Sequence, residues 1–350
     1  MAKRQHYIPQ FLLRNWSTDS SSINIYLLND NIYKEKVPIV NQAQKKFYYG
    51  EDQKIENLYS QLESDTAPII AKIINKTSLS KEDIRVLRHF VAIQNTRTPG
   101  RVQDFDDVIT KMSKDLLLKS HKFDEHKKEI EEIKVNINNH QYWQLFMYLK
   151  TFLLYADLNF AILESNSNNK FIIGQDPVVI TNKFLTEKNW EFSTRGIGFK
   201  GVTFFLPISP EFMICFYDRE AYSFIGKKEY YQLNDDEINN LNMFQFLNTE
   251  NTIYLSKFEE KFYTFNKITT SFRIGSMCYV ISSPIIDNKQ TVMTGSEKYP
   301  ISPIQEFLGI KEQVWKLPLI KSFLVRDSFK IVQQYIKNDP KLSKVLQLEL

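Results

Sequence analysis

The 350-residue chain carries 45 Lys and Arg against 41 Asp and Glu, and 43% of its residues are hydrophobic and 14% aromatic. This composition is typical of a folded protein with a sizeable core and excludes a disordered chain. The net charge of +4 is too small to indicate nucleic-acid binding by itself. The chain has only 10 Gly and neither a GxGxxG nor a GxxxxGK(S/T) motif, which excludes the usual dinucleotide and P-loop classes.

Cysteine usage and hydropathy indicate the compartment. Cys215 and Cys278 are the two cysteines, and no CxxC, HExxH or clustered His pattern accompanies them, so a thiolate zinc site is excluded. A chain of this size without disulfide density is typical of a reducing compartment. No apolar run approaches the roughly 18 residues of a membrane span, and polar residues such as Gln10 and Arg14 interrupt any leader-like run. We therefore expect a soluble, cytoplasmic protein without a membrane partner.

The segment from His6 to Trp16 is dense in aromatic and aliphatic residues, unlike the loose, polar N-terminus of most chains. We therefore expect it to be docked into the fold. Docking would carry the side chains of His6, Gln10 and Arg14 close to a core, where each polar group needs a partner. This arrangement favours a functional site but specifies no reaction.

The first half of the chain is predicted to be mainly helical. Its predicted elements are a strand at 23–27, helices at 55–75 and from 80 to about 98, a charged helix or arm at 102–134, and an apolar helix at 141–164. Pro68 predicts a kink or a break in the first of these helices. Ser80 caps the second, with Asp83 in the capping-box position. The segment 141–164 is apolar on nearly every face and is expected to be the central core helix.

The second half is predicted to supply a sheet. The predicted strands are 170–181, 202–208, 212–217 and 252–255, with helices at 234–247 and within 304–348. These elements predict an α+β fold, in which a helical bundle at 52–164 packs against a small mixed or antiparallel sheet built from 170–256. The N-terminal segment should be docked between them. Residues 261–350 are expected to form a C-terminal extension, mostly helical at its end, and a surface for a protein partner.

Gln94 and Arg97 extend the inward stripe of the second helix. The apolar stripe continues at helical spacing onto Gln94, and Arg97 follows three residues later. A guanidinium beside a core must be paired or must meet an anion. Arg97 is therefore either a structural residue or part of a site. If the first two helices pack antiparallel, Glu63 is a partner for Arg97; otherwise it is a solvated glutamate.

Asp176 ends an apolar strand and precedes Pro177, which holds it in an extended conformation. A carboxylate at a strand end is a common catalytic or ligand position. It is equally common as a residue that caps a turn through its side chain. Asn182, just beyond the next strand, adds an amide to the same region.

The string from His6 to Trp16 resembles the opening of the bacterial family catalogued as domain of unknown function 4238. Later segments fit the same family in the same order: 47–50, 55–56 with Glu63, Gln94 with 97–99, 172–178, 206–210, and Leu241-Asn242 with Gln245. The resemblance covers about residues 4–256, and thus most of a family-like core at 1–260. Where the family has Ser-Asp-Asn-Pro, this chain has Gln175-Asp176-Pro177. The resemblance implies a bacterial or prophage origin and a place among phage-defence or mobile-element genes, and it carries no established activity.

The polar residues of these segments predict a reaction class. The predicted catalytic residues are His6, Glu63, Arg97 and Asp176, and the predicted substrate-binding residues are Gln10, Arg14, Gln94 and Asn182. A general acid or base, cationic stabilisers and orienting amides together favour cleavage of a phosphodiester in a nucleic acid or nucleotide. A divalent ion such as Mg²⁺ could bind Asp176 and Glu63. The protein would then act in phage defence or as a toxin-type effector; the alternative is a non-catalytic binding or sensing module with a structural polar network.

Overall fold

The structure, a computed structural model, describes residues 4–51, 53–165, 168–224, 230–270, 278–282, 292–296 and 305–338. Its α-helices are Gln10–Arg14 (α1), Lys54–Ile74 (α2), Lys81–Thr96 (α3), Pro99–Leu118 (α4), Lys127–Glu132 (α5), His140–Thr151 (α6), Lys183–Glu187 (α7), Asp235–Leu247 (α8), Lys261–Thr270 (α9), Glu312–Trp315 (α10), Lys321–Leu324 (α11) and Asp327–Asn338 (α12). Its strands are Arg4–His6 (β1), Ser22–Leu27 (β2), Ile32–Pro38 (β3), Gln44–Lys46 (β4), Asn159–Ser165 (β5), Ile173–Gly174 (β6), Val179–Thr181 (β7), Thr203–Pro207 (β8), Phe212–Tyr217 (β9), Tyr222–Phe224 (β10), Tyr230–Leu233 (β11), Thr252–Leu255 (β12), Cys278–Ser282 (β13), Val292–Ser296 (β14) and Leu308–Ile310 (β15).

Two sheets organise the described residues. A five-stranded mixed sheet has the order β11-β5-β9-β8-β7, with β11 parallel to β5 and the other neighbours antiparallel. A four-stranded antiparallel sheet has the order β3-β2-β12-β6 and joins the start of the chain to residues near 255. Strands β8 and β9 are buried along their whole length, which matches their continuous apolar sequences. The expected α+β class is confirmed.

Helices α2 and α3 form an antiparallel pair. Asp83, the third residue of α3, completes a capping box with Ser80, as predicted. Lys72, near the end of α2, lies 3.0 Å from Asp83. Nearer the start of α2, Glu63 lies 2.7 Å from Arg97, the residue that ends α3. The two ion pairs require the helices to run in opposite directions.

The N-terminal segment is docked between the helices and the sheets, as expected. Strand β1 pairs antiparallel with β4, and the apolar side chains that follow are buried in the main hydrophobic core. The Trp16 indole donates a hydrogen bond to the carbonyl of Phe171 (2.8 Å), and Asn15 donates to the carbonyl of Ile208 (2.7 Å). On the other side, Gln94 of α3 donates to the carbonyl of Tyr7 (2.8 Å).

Two features of the helical half differ from the predictions. Pro68 does not break α2, because it lies on the solvent-exposed face, where water can satisfy the carbonyl that its ring leaves unpaired. The segment 141–164 is not one core helix: α6 ends at Thr151, and β5 follows after a 3-10 turn at Phe152–Tyr155. A short apolar run fits a buried strand as well as a helix. Here residues 159–165 form a strand because β5 pairs with β9 on one side and with β11 on the other.

The described part of the C-terminal extension packs on the rest of the chain. Strand β15 pairs with β10, and the Arg326 guanidinium donates to Asp157 (2.6 Å) and to the carbonyl of Ile197 (2.8 Å). The helical end predicted within 304–348 corresponds to α10, α11 and α12 up to Asn338, and residues 339–350 lie outside the described residues. Within the described part of the chain, every helix is too short or too polar to cross a membrane.

Candidate functional site

Arg97 is at the centre of a buried polar cluster. Its side chain is 1% exposed, although it carries a permanent charge. Its guanidinium donates to Oε1 of Glu63 (2.7 Å) and twice to Oε1 of Gln94 (2.8 and 2.6 Å). The rings of Tyr59 and Phe90 lie 5.5 and 5.9 Å from the guanidinium carbon. The charge of Arg97 is thus balanced inside the protein.

Two glutamates of α2 share this cluster. Burial, followed by the charge of Glu63, raises the pKa of Glu56 to about 7, and the charge of Arg97 opposes the shift. Glu56 can therefore gain a proton near neutral pH.

His6, Gln10 and Arg14 lie at the edge of this cluster. Burial lowers the pKa of His6, and the charges of Arg14, Arg4 and Arg97 lower it further. The imidazole is therefore neutral at pH 7, and its Nε2 has no hydrogen-bond partner among the described residues. On α1, the Arg14 guanidinium donates to Oε1 of Gln10 (2.9 Å). The charges of Arg14 and Arg97 thus both act on His6, while the Arg14 side chain is exposed to solvent.

Asp176 lies elsewhere, in the loop between β6 and β7, and is held there by amides of α8. Gln245 accepts a hydrogen bond from the Gly174 amide (2.9 Å) and donates to the carbonyl of Pro177 (3.0 Å). Asn248, which ends α8, donates to the carbonyl of Asp176 itself (2.5 Å). Three residues before Gln245, Asn242 accepts a hydrogen bond from the Ile172 amide (3.1 Å) and donates to the carbonyl of Lys170 (2.8 Å). Asn242, Gln245 and Asn248, spaced three residues apart on one face of α8, thus bind residues 170–178; we call these three side chains the clamp.

The Asp176 carboxylate packs against the first turn of α4. A Cβ on Gly100 would lie 2.5 Å from its Oδ2, so the absence of a side chain at this position permits the approach. The residue is 6% exposed, and its Oδ1 has no hydrogen-bond partner among the described residues. Burial raises the pKa of Asp176 to about 6, against the opposing charge of Arg101. A carboxyl with this pKa can both take up and release a proton near neutral pH.

Asp176 lines a solvent-open cavity of about 580 Å³, here called the α4 cavity. One wall is the face of α4 that carries Gly100, Arg101, Asp104, Asp107, Lys111 and Lys114. The opposite walls come from residues 134–136, from residues 247–250 after α8, and from Arg195. The Thr110 hydroxyl donates to the carbonyl of Val135 (3.2 Å) and accepts from its amide (2.9 Å), which holds residues 134–136 beside α4.

Two arginines line the α4 cavity together with Asp176. Arg101 acts on the Asp176 carboxyl through its charge and bridges α4 and the clamp, with contacts of 3.2 Å to Asp104, 3.3 Å to the carbonyl of Val178 and 3.4 Å to Asn248. Arg195 lines the cavity although it is only 7% exposed. A carboxyl with a raised pKa, near a guanidinium group in an open cavity, can exchange a proton with a bound anion or with its attacking water.

The residues proposed from the sequence fall into three places. The buried cluster contains Glu63, Gln94 and Arg97, and His6, Gln10 and Arg14 lie at its edge. Of the eight predicted residues, Asp176 is the one that lines the α4 cavity. Asn182 caps α7: it accepts from the Leu185 amide (3.0 Å) and donates to the carbonyl of Lys200 (2.8 Å). Its hydrogen-bonding groups are therefore used locally.

The sequence reasoning missed Arg101, Arg195 and the amide clamp of α8. A signal for the clamp was present, because Asn242, Gln245 and Asn248 stand at spacing three on one helix face that otherwise carries buried apolar residues. Buried amides at such spacing need partners on a neighbouring segment. No comparable pattern identifies Arg195, which lies in a loop between α7 and β8.

The donor set was also compared with that of a metal site. Among the described residues, no group of three or more His, Cys, Asp or Glu side chains is arranged to hold a metal ion. Glu63 faces the Arg97 guanidinium and Asp176 lines a different place, so these two residues do not form the expected pair of ligands.

The comparisons with known proteins give one match. A family model described as "Protein of unknown function (DUF4238)" matches residues 4–259, about three quarters of the chain. No curated protein and no solved structure is significantly similar to this chain.

Proposed function

We propose that this chain, which belongs to the family described as Protein of unknown function (DUF4238), is a hydrolase that cleaves a phosphodiester in a nucleic acid or nucleotide. The observation that carries the proposal is the buried Asp176 carboxyl in the α4 cavity, with an unpaired Oδ1 and a pKa of about 6. We further propose that the protein acts in the bacterial cytoplasm, in phage defence or as a toxin-type effector.

Asp176 serves as the general base in this proposal. At pH 7 a carboxyl with a pKa of about 6 is mostly ionised, so Oδ1 can accept a proton from a water molecule. That water attacks phosphorus, the bond from phosphorus to the leaving oxygen breaks, and the leaving oxygen takes a proton from solvent through the open side of the cavity. The reaction consumes one water and leaves Asp176 protonated until it releases the proton.

Arg101 and Arg195 supply positive charge for the phosphate. Both line the α4 cavity with Asp176, and a guanidinium can donate two parallel hydrogen bonds to phosphate oxygens. Their charge would stabilise the extra negative charge of the transition state.

The buried cluster around Arg97 takes a structural role in this proposal. Arg97 is paired with Glu63 and Gln94, and Gln94 holds the N-terminal segment through the carbonyl of Tyr7. A residue enclosed in this way cannot contact a substrate. The proposed reaction centre therefore moves from His6 and Arg97 to Asp176.

The alternative, a non-catalytic binding or sensing module, is supported by the same cluster. The Arg97 guanidinium donates hydrogen bonds to the side chains of Glu63 and Gln94, as in a polar network that only stabilises a fold. In that case the α4 cavity would bind an anionic ligand without changing it, and substitution of Asp176 would affect affinity alone.

The test compares Asp176→Asn with the wild type on single-stranded RNA and DNA, duplex DNA and nucleoside triphosphates. The matched control is Asp30→Asn, because Asp30 is exposed in the turn between β2 and β3. We expect the wild type and Asp30→Asn to cleave one substrate class and Asp176→Asn to lose at least about 100-fold in kcat. Cleavage by Asp176→Asn at the wild-type rate would rule out this reaction centre. Intact substrates with every protein would favour the binding module.

A further inference from the structure

The α4 cavity is elongated along one face of α4. Its lining residues on this helix recur at helical spacing from Gly100 to Lys114. With a rise of about 1.5 Å per residue, this face is about 20 Å long. Asp176 and Gly100 lie at one end, and Lys111 and Lys114 lie at the other.

Charge is distributed unevenly along this length. Near the Asp176 end, Arg101 lies among carboxylates, including Asp104 and Glu250. At the far end Lys111, Lys114 and Lys134 line the wall, and the nearest lining carboxylate on α4 is Asp107, one turn before Lys111. Lys114 also donates to the carbonyl of Glu131 (2.6 Å), which holds its ammonium group beside α5. Among the described residues that line the far end, lysines outnumber carboxylates, so this end attracts anions.

We propose that the α4 cavity binds a single-stranded oligonucleotide, with the cleaved phosphate at Asp176 and a second phosphate, several nucleotides along the same strand, at Lys111, Lys114 and Lys134. This inference depends on the proposed function for its reactive end. A lysine cluster one cavity length away from the reaction centre fits a second phosphate of the same strand, which a mononucleotide lacks. At about 3.4 Å per nucleotide in a stacked strand, 20 Å accommodates at most about six nucleotides.

The dimensions favour a single strand over a duplex. Asp176 is 6% exposed at the end of a cavity of about 580 Å³. A phosphate must enter the cavity to reach it, and a flexible single strand can bend its backbone inward where a stiff duplex cannot. RNA and DNA strands share the chemistry that the lysines recognise, so the experiment includes both.

The test measures the binding of fluorescein-labelled eight-nucleotide U and dT strands by anisotropy, with Asp176→Asn as the background to prevent turnover. In this background, Lys111→Gln/Lys114→Gln is compared with Lys34→Gln/Lys36→Gln, an equal loss of charge at exposed positions of β3. We expect the first pair to weaken binding at least tenfold at 50 mM salt and the second less than twofold. The slope of log Kd against log salt concentration should fall by about 0.7, because the two lysines are proposed to hold one phosphate.

Cleavage kinetics with the active protein separate this inference from the proposed function. For Lys111→Gln/Lys114→Gln, KM should rise for the eight-nucleotide strand and stay unchanged for a dinucleotide. Lys111→Arg/Lys114→Arg should restore binding, which excludes a folding defect. Equal binding by both Gln pairs, or equal affinity for a nucleoside monophosphate or a duplex, would overturn the inference even if the protein is a hydrolase. Lysine-dependent strand binding without any cleavage would retain the inference and refute the hydrolase.

Discussion

At the scale of single residues, the environment of a carboxyl group decides what it can do. Glu63 and Asp176 have the same functional group, yet Glu63 faces a guanidinium at 2.7 Å while Oδ1 of Asp176 has no partner among the described residues. Burial raises the pKa of Asp176 to about 6, because an environment with little water favours the neutral form of a carboxyl. Asp176 can therefore accept a proton near pH 7.

The raised pKa of Asp176 predicts two pH dependences of opposite sign. Activity should rise as pH increases from 5 to 7, because the base form appears as the carboxyl titrates near pH 6. Folding stability should fall over the range from about pH 4 to 6, because the unfolded state loses this proton more readily than the folded state. A shift from 3.8 to about 6 corresponds to at most about 3 kcal/mol.

The stability effect is checked with urea unfolding of the wild type and Asp176→Asn between pH 4 and 8. The free energy of unfolding of the variant minus that of the wild type should increase as pH rises through this range, since only the wild type must ionise a buried carboxyl. Asp30→Asn serves as the control. A difference that stays constant with pH would contradict the raised pKa.

At the scale of elements, helix α8 positions the loop that carries Asp176, and helix α3 positions the N-terminal segment. In both cases a side-chain amide on a helix binds the backbone of a distant segment: Asn248 binds the carbonyl of Asp176 and Gln94 binds that of Tyr7. Such contacts order backbone that would otherwise sample many conformations. Each can be removed by one substitution.

Substitution of Asn248 tests the clamp. Asn248→Ala should lower kcat at least tenfold with a smaller change in KM, because Asp176 loses the hydrogen bond that fixes its backbone. The control is Asn242→Ala, which removes an equivalent amide at Ile172, earlier in the same segment. Both variants should lose about 1–3 kcal/mol of stability. If both lower kcat equally, the clamp acts only through stability.

Substitution of Gln94 tests the docking of the N-terminal segment. Gln94→Ala removes the hydrogen bond to Tyr7 and leaves the Arg97 guanidinium without one of its two acceptors. We expect a loss of about 1–3 kcal/mol and faster amide hydrogen exchange in residues 5–16, measured by mass spectrometry. Exchange in α8 should be unchanged. A uniform increase along the chain would instead indicate global destabilisation.

At the scale of the whole molecule, the described extension is joined to the family-matched region by buried contacts. Arg326 is 3% exposed and binds Asp157 together with the carbonyls of Leu154 and Ile197. Phe262 of α9 is also buried, in a cluster with Phe246 of α8. Helix α8 carries both the Phe246 contact and the clamp. It therefore couples residues after 260 to the loop that contains Asp176. The division into a core at 1–260 and an extension at 261–350 stays a prediction.

Arg326→Ala measures this coupling. The substitution removes three hydrogen bonds and leaves the Asp157 carboxylate without its cation. We expect a loss of about 2–4 kcal/mol and one cooperative transition, seen at the same denaturant concentration by near- and far-UV circular dichroism. Two separate transitions would show that the extension unfolds independently. Lys330→Ala, which removes an exposed pair with Asp327 on α12, is the matched control.

Local patterns were sufficient for several features of this protein. The α+β class, the capping box at Ser80, the strand at 252–255 and the docked N-terminal segment follow from apolar periodicity and hydrogen-bonding chemistry within a few residues. The pairing of Glu63 with Arg97 could be predicted as one alternative, because both residues lie on neighbouring helices.

Only the tertiary structure decided which polar residues meet. The sequence alone placed His6, Arg97 and Asp176 in one candidate site, whereas the fold encloses Arg97 in a neutralised cluster and leaves Asp176 in the α4 cavity. It also placed β5 where an apolar run had indicated a helix. The physical reason is that burial, strand pairing and charge compensation are set by residues far apart in the chain. The proposal for Asp176 depends on its closeness to Gly100 and Arg101, which lie more than seventy residues earlier in the chain.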